Sequence, residues 1–152
     1  MDKNLAEKKS SSFPERRRQA RQTAMQALYQ WEINKSDITL IENQFIQREH
    51  FQKVDAEYFK EILHGVVLEI NNIDNYIKRY IDRDITELDP VELTVARVAV
   101  YEFLKRPDVP YKVILNEALE SAKKFGAQEG HKFINGVLDK VAREVRHLEI
   151  KH

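Results

Sequence analysis

No cysteine occurs among the 152 residues, which excludes a disulfide, a thiolate metal site and a cysteine nucleophile. Long apolar runs are missing as well. The longest is Val98-Ala99-Val100-Tyr101, far short of the roughly 18 residues that a membrane span needs. The first dozen residues carry charges and a Ser10-Ser11-Ser12 run where a signal peptide would have its apolar stretch. Glycine and proline number only four each, and neither clusters within the periodic segments. A cytoplasmic protein of one domain, or of two small subdomains sharing a core, is the expectation.

Catalytic signatures are absent too. The five histidines show no His-x-x-x-His spacing, so no metal site is expected. Neither glycine-rich phosphate loop nor Gly-x-Ser-x-Gly elbow occurs, and no cofactor is implied. Asp82 and Asp84 fall in a predicted loop and read as solvated charge. The cheap test of an enzyme is whether His64 or His131 comes within reach of a carboxylate.

What the chain does contain is helical periodicity, and the expected fold is an all-α bundle. Ser12-Phe13-Pro14-Glu15 fits a capping box, and Ala20, Ala24, Ala27, Leu28 and Trp31 follow at helical spacing. Asp37 and Asp55 open two further helices, and Asn71-Asn72 is expected to interrupt the second of these. Asp89-Pro90-Val91-Glu92 is the clearest start signal, with Glu92 able to reach back as the fourth capping-box residue. From Val91 to Leu104, 10 of 14 residues are apolar on every side, as in a helix that others pack against. Pro107 and Pro110 end it. The next helix runs from Tyr111 to Phe125, with Gly126 as a left-handed cap. Asn135-Gly136 reads as the interior of a last helix, with Gly136 admitting a close neighbour.

Zero net charge, from 25 basic and 25 acidic residues, conceals a pattern. Residues 1–21 are net +4, residues 22–122 net −7 and residues 123–152 net +3. Such asymmetry bears on partners rather than on fold. Arg16, Arg17, Arg18 and Arg21 crowd a helix start, where the dipole disfavours cations unless an anion offsets the cost. On a helical wheel Arg18, Gln22, Met25 and Tyr29 share one flank, a set suited to single-stranded nucleic acid. The alternative is a solvated basic face with Tyr29 at the rim of the core. Phe125 to Phe133 forms a second candidate. Its two glycines expose backbone N–H groups before a helix start, unless it is an ordinary turn with both rings in the core.

Read together, these segments resemble one family. Residues 16–31, Arg-Arg-Arg-Gln-Ala-Arg-Gln-Thr-Ala-Met-Gln-Ala-Leu-Tyr-Gln-Trp, are similar to the amino-terminal signature of the NusB family of bacterial transcription antitermination factors. Tyr58-Phe59 with His64-Gly65-Val66, and Glu92 to Glu102, resemble its third and central helices. Val109 to Ala118 and Lys132 to Asp139 are the most specific matches. Gly130 departs from the pattern where the family often has a Ser-type cap, which predicts a looser helix start.

The resemblance implies about seven helices in two packed subdomains, 15–81 and 82–148, after a flexible extension over 1–14, and no catalytic residues. It implies binding of boxA-type single-stranded RNA, together with the small-subunit ribosomal protein NusE, within the transcription elongation complex of ribosomal RNA operons. By position, RNA contacts fall on Arg16, Arg17, Arg18, Arg21, Tyr29, Tyr80, Phe125, Glu129, Lys132 and Phe133. Partner contacts fall on Tyr80 and Glu92. Two rivals remain. One is the RNA-binding domain of a ribosomal RNA cytosine methyltransferase, which requires a Rossmann-type domain not found in these 152 residues. The other is a homodimeric interaction protein without RNA affinity.

Overall fold

The computed structural model describes residues 12–127 and 129–151. Most of the expected extension, 1–11, lies outside the described residues. Among the described residues there are eight α-helices, two short 3-10 turns and no strand. The helices are α1 (Phe13–Asn34), α2 (Ile38–Ile46), α3 (Ala56–Leu68), α4 (Ile70–Lys78), α5 (Pro90–Lys105), α6 (Tyr111–Phe125), α7 (Gly130–Val145) and α8 (His147–Ile150). None is long and apolar enough to cross a membrane.

The chain divides into two compact units, one through Gly65 and one from Val66. In the first, Ser12 caps α1 by accepting the Glu15 N–H at 3.2 Å, and Pro14 occupies the first turn. Ala20, Ala24, Ala27 and Leu28 form the buried stripe of α1. Its end is enforced at Lys35, whose φ of 53° is left-handed and whose N–H returns to the Trp31 carbonyl. Asp37 caps α2 through the Thr39 N–H, and Ile41 and Phe45 face inward. Asp55 accepts the Tyr58 N–H at the head of α3, which buries Tyr58, Phe59, Ile62 and Leu63. Phe51, in the 3-10 turn Glu49–Lys53, meets the Phe59 ring edge-on at 5.2 Å.

The second unit is built on α5, which packs against α4, α6 and α7. Every residue from Glu92 to Phe103 is buried, as a helix apolar all round requires. Asp89 caps it by accepting the Val91 and Glu92 N–H groups. Burying Arg97 is made tolerable by a bidentate pair with Asp74 of α4, both contacts at 2.9 Å. Residues 66–81, expected in the first subdomain, group with this unit because α4 packs on α5 and α7 and buries Ile73 and Ile77.

Four local expectations are corrected. The break between α3 and α4 falls at Glu69, whose carbonyl starts the next helical ladder, and Asn71-Asn72 is helical. Gly126 is extended (φ −98°, ψ −176°) rather than left-handed. A Cβ there would come within 2.7 Å of the Ala122 carbonyl oxygen, so glycine is needed for room and not for its φ. Gly136 is interior to α7 as expected, but nothing lies within 4 Å of a Cβ built on it. Finally, Asp84 is no idle charge. It caps the 3-10 turn Ile85–Glu87, and Glu87 reaches back to its N–H in a complete capping box.

Candidate nucleic-acid interface

The arginines at the head of α1 are divided by their surroundings. Arg16 turns inward and donates to the carbonyls of Gln52 and Val54 at 3.0 and 2.9 Å. Arg17 lies between two rings, 4.6 Å from the Phe13 centroid and 4.1 Å from that of Tyr58. Arg21 is 4% exposed and approaches the other side of the same cluster, 5.5 Å from Tyr58. Carbonyl oxygens and π faces therefore supply the negative potential that the helix start lacks. Arg18 is the outward member. Its side chain is 43% exposed and pairs with Glu15 at 3.3 Å. The continuous flank expected from the wheel does not exist, because Gln22 and Met25 are buried; Tyr29 remains exposed.

In the second unit the expected residues gather around α7. Phe133, half-buried in its first turn, has the Arg83 guanidinium 4.8 Å from its ring centroid. Lys132 and Glu129 form a fully solvated pair at 2.9 Å beside it. Phe125, at the end of α6, carries the Lys124 ammonium 5.3 Å from its ring. Tyr80 donates its hydroxyl to Glu144 of α7 at 2.8 Å, and Arg79 holds the second oxygen of that carboxylate. This hydrogen bond to Glu144, aided by burial, holds the Tyr80 pKa above the ordinary phenol value. Tyr80 is thereby fixed in place rather than presented as a free ring.

Glu92 does not reach back to complete a capping box. Its side chain lies against Gly130, where a Cβ would fall on the carboxylate. Gly130 is thus the residue that lets α5 and α7 meet at this point, and the carboxylate occupies the space that a capping serine would take. Glu92 is 8% exposed. Burial, with a contribution from Asp89, raises its pKa; Arg83 works the other way. The residue that sequence reasoning missed is Arg83, placed among acids in a segment read as a loop. Its approach to Phe133 is a tertiary contact with no local signal.

No group of three or more potential ligands that could hold a metal occurs among the described residues. His64 does meet a carboxylate, Glu42, at 2.6 Å, but as a surface contact between α2 and α3 with the imidazole half-exposed. The buried Nδ1 of His131 has no partner among the described residues.

The NusB family model matches residues 18–143. The transcription antitermination protein NusB of Pseudomonas fluorescens is 52% identical over 136 residues, covering 90% of this chain and 82% of that protein. Among solved structures, T. maritima NusB is 30% identical with a TM-score of 0.75, covering 84% of this chain and 90% of its own. The NusB chain of a crystal structure of antitermination factors NusB and NusE in complex with dsRNA is 25% identical. Its TM-score is 0.77, over 84% of this chain and 96% of that one.

Proposed function

The chain belongs to the NusB family, and from that premise we propose that it is a non-enzymatic antitermination factor. It binds boxA-type RNA in unpaired form, jointly with NusE, as part of a transcription elongation complex. The observation that carries this reading is the head of α7, where half-buried Phe133 stands beside solvated Lys132. Such an aromatic site can take up an unstacked base, while the ammonium meets the adjacent phosphate. Phe125 and Lys124 repeat the combination at the end of α6. In the first unit, Arg18 supplies a phosphate contact and Tyr29 an exposed ring, while Arg16, Arg17 and Arg21 hold the head of α1 in position.

NusE engagement falls to Tyr80 and Glu92. A largely buried carboxylate beside the acidic Asp89 gains a counter-charge when a cation of the partner approaches, and Tyr80 is already oriented by Glu144. The test is RNA binding to the whole chain with and without purified NusE. Tighter RNA binding with the partner present supports joint recognition, and equal affinity in its absence removes the cooperative half of the proposal.

A further inference from the structure

Arg83 is a cation that this reading leaves unused. It stands between α4 and the 3-10 turn Ile85–Glu87, in a stretch, 82–92, that contains five acids and no other base. The stretch is anchored locally. Asp84 accepts from the Thr86 N–H and hydroxyl at 2.9 and 2.8 Å, and Glu87 accepts from the Asp84 N–H at 3.2 Å. From this anchor the Arg83 side chain crosses to α7 and covers Phe133 at 4.8 Å. Asp82 binds its Nε at 3.2 Å, and among the described residues the two terminal nitrogens carry no hydrogen bond. The side chain is 47% exposed.

We infer that Arg83 is a further RNA contact, the outer layer of a two-layer stacking platform whose inner layer is Phe133. The inference rests on the RNA-binding reading above and assigns that site a second component. A guanidinium is planar and weakly hydrated, so it stacks on a ring with one face and accepts a nucleobase on the other. A phosphate is the poorer ligand here. Asp82 binds the guanidinium and Glu92 interacts with it electrostatically, in a stretch whose other charges are acids, so an anion is repelled, whereas a neutral base face meets no such penalty. Contact with Phe133 also restricts the arginine before binding, which lowers the entropy cost of receiving the base.

The test is fluorescence anisotropy of a short fluorescein-labelled, single-stranded boxA-type RNA on the whole chain, without NusE. Arg83→Ala is expected to weaken binding about tenfold, the scale of one lost stacking contact. Arg83→Lys keeps the charge and loses the plane, and is expected to suffer most of the same loss with an unchanged salt slope. In a Phe133→Leu background, Arg83→Ala is expected to have an effect of less than about twofold, because the two layers act as one unit. Circular dichroism establishes that each variant is folded. Arg83→Lys binding like wild type, or a reduced salt slope, overturns stacking in favour of a charge contact. Arg83→Ala binding RNA normally, while losing affinity only when NusE is present, makes the residue a protein contact and overturns the inference. An unaffected Arg83→Ala beside a weakened Phe133→Leu removes Arg83 alone. Absence of RNA binding by the wild-type chain removes the underlying reading as well.

Discussion

Arg146 Nε donates to the Phe103 carbonyl at 2.9 Å, tying the junction of α7 and α8 to the C-terminal end of α5. The rest of the guanidinium completes a fan onto the carbonyls of Glu102, Arg106 and Val109 and onto the Glu149 carboxylate. Phe103 lies in the last turn of α5 and has Pro107 four residues on, so its carbonyl has no helical N–H to accept; Glu102 and Arg106 already accept the Arg106 and Val109 N–H groups and take Arg146 as a second donor. Replacing Arg146 with Ala removes this whole set of buried hydrogen bonds at once and is expected to cost about 3 kcal/mol. Chemical denaturation measures the loss, and Arg146→Lys is expected to recover only part of it. A cost below about 1 kcal/mol would show that the carbonyls find other donors.

The arginine run is expected to separate into two classes. Arg16→Ala removes two hydrogen bonds to backbone carbonyls and should cost about 1–2 kcal/mol of stability. Arg18→Ala removes a half-exposed ion pair with Glu15 and should change stability by less than about 0.5 kcal/mol. Arg18→Ala should instead weaken RNA binding and flatten its salt dependence by about 0.7 in slope. Thermal melts together with RNA titrations at several salt concentrations check both halves.

Glu92 and Gly130 are expected to be coupled. Gly130→Ala places a methyl group on the Glu92 carboxylate and should lower the melting temperature; in a Glu92→Ala background that penalty should vanish. Glu92 also carries a raised pKa, so the folded state favours its protonated form. That contribution is fully present below the unfolded pKa and is lost as pH rises through the raised folded one. Glu92→Gln is therefore expected to melt higher than wild type at neutral pH and to lose this advantage on acidification. A melting-point difference independent of pH would contradict the assignment.

Glu149 is expected to behave in the opposite sense. Burial pushes its pKa up, but the Tyr111 N–H and the Arg146 guanidinium overcome that and leave it lowered. Its stabilising effect is present above the unfolded carboxylate pKa and is lost as pH falls through the lowered folded value. Wild type should melt above Glu149→Gln at about pH 7 and match it at about pH 3. Paired melting curves across that range test the sign.

Helix starts were legible because capping is local. Ser12, Asp37, Asp55 and Asp89 each cap where the sequence places them. The central helix was legible because ten apolar residues in fourteen admit no exposed face. Positions that depend on a distant neighbour were not. The seat of Glu92 against Gly130 joins segments far apart in the chain, while the α3–α4 break at Glu69 and the extended Gly126 turn on backbone geometry that residue type does not signal. The head of α1 shows the same limit. A run of four arginines signals positive charge, but only the fold shows that Tyr58 and the Gln52 and Val54 carbonyls engage three of them. Arg83 illustrates the converse, an unremarked cation brought onto an aromatic ring by tertiary structure.

Gly136 is solvent-exposed and interior to α7, with open space where a Cβ would stand and no positive φ to relieve. A side chain can be added there without displacing any described neighbour, and the helix gains up to about 1 kcal/mol in propensity. Since the chain contains no cysteine, Gly136→Cys creates a single thiol on the helix whose first turn carries Lys132 and Phe133. A spin label or fluorophore attached to it would be one site-specific reporter, needing no other thiol removed, for following what approaches α7 as RNA and NusE are added.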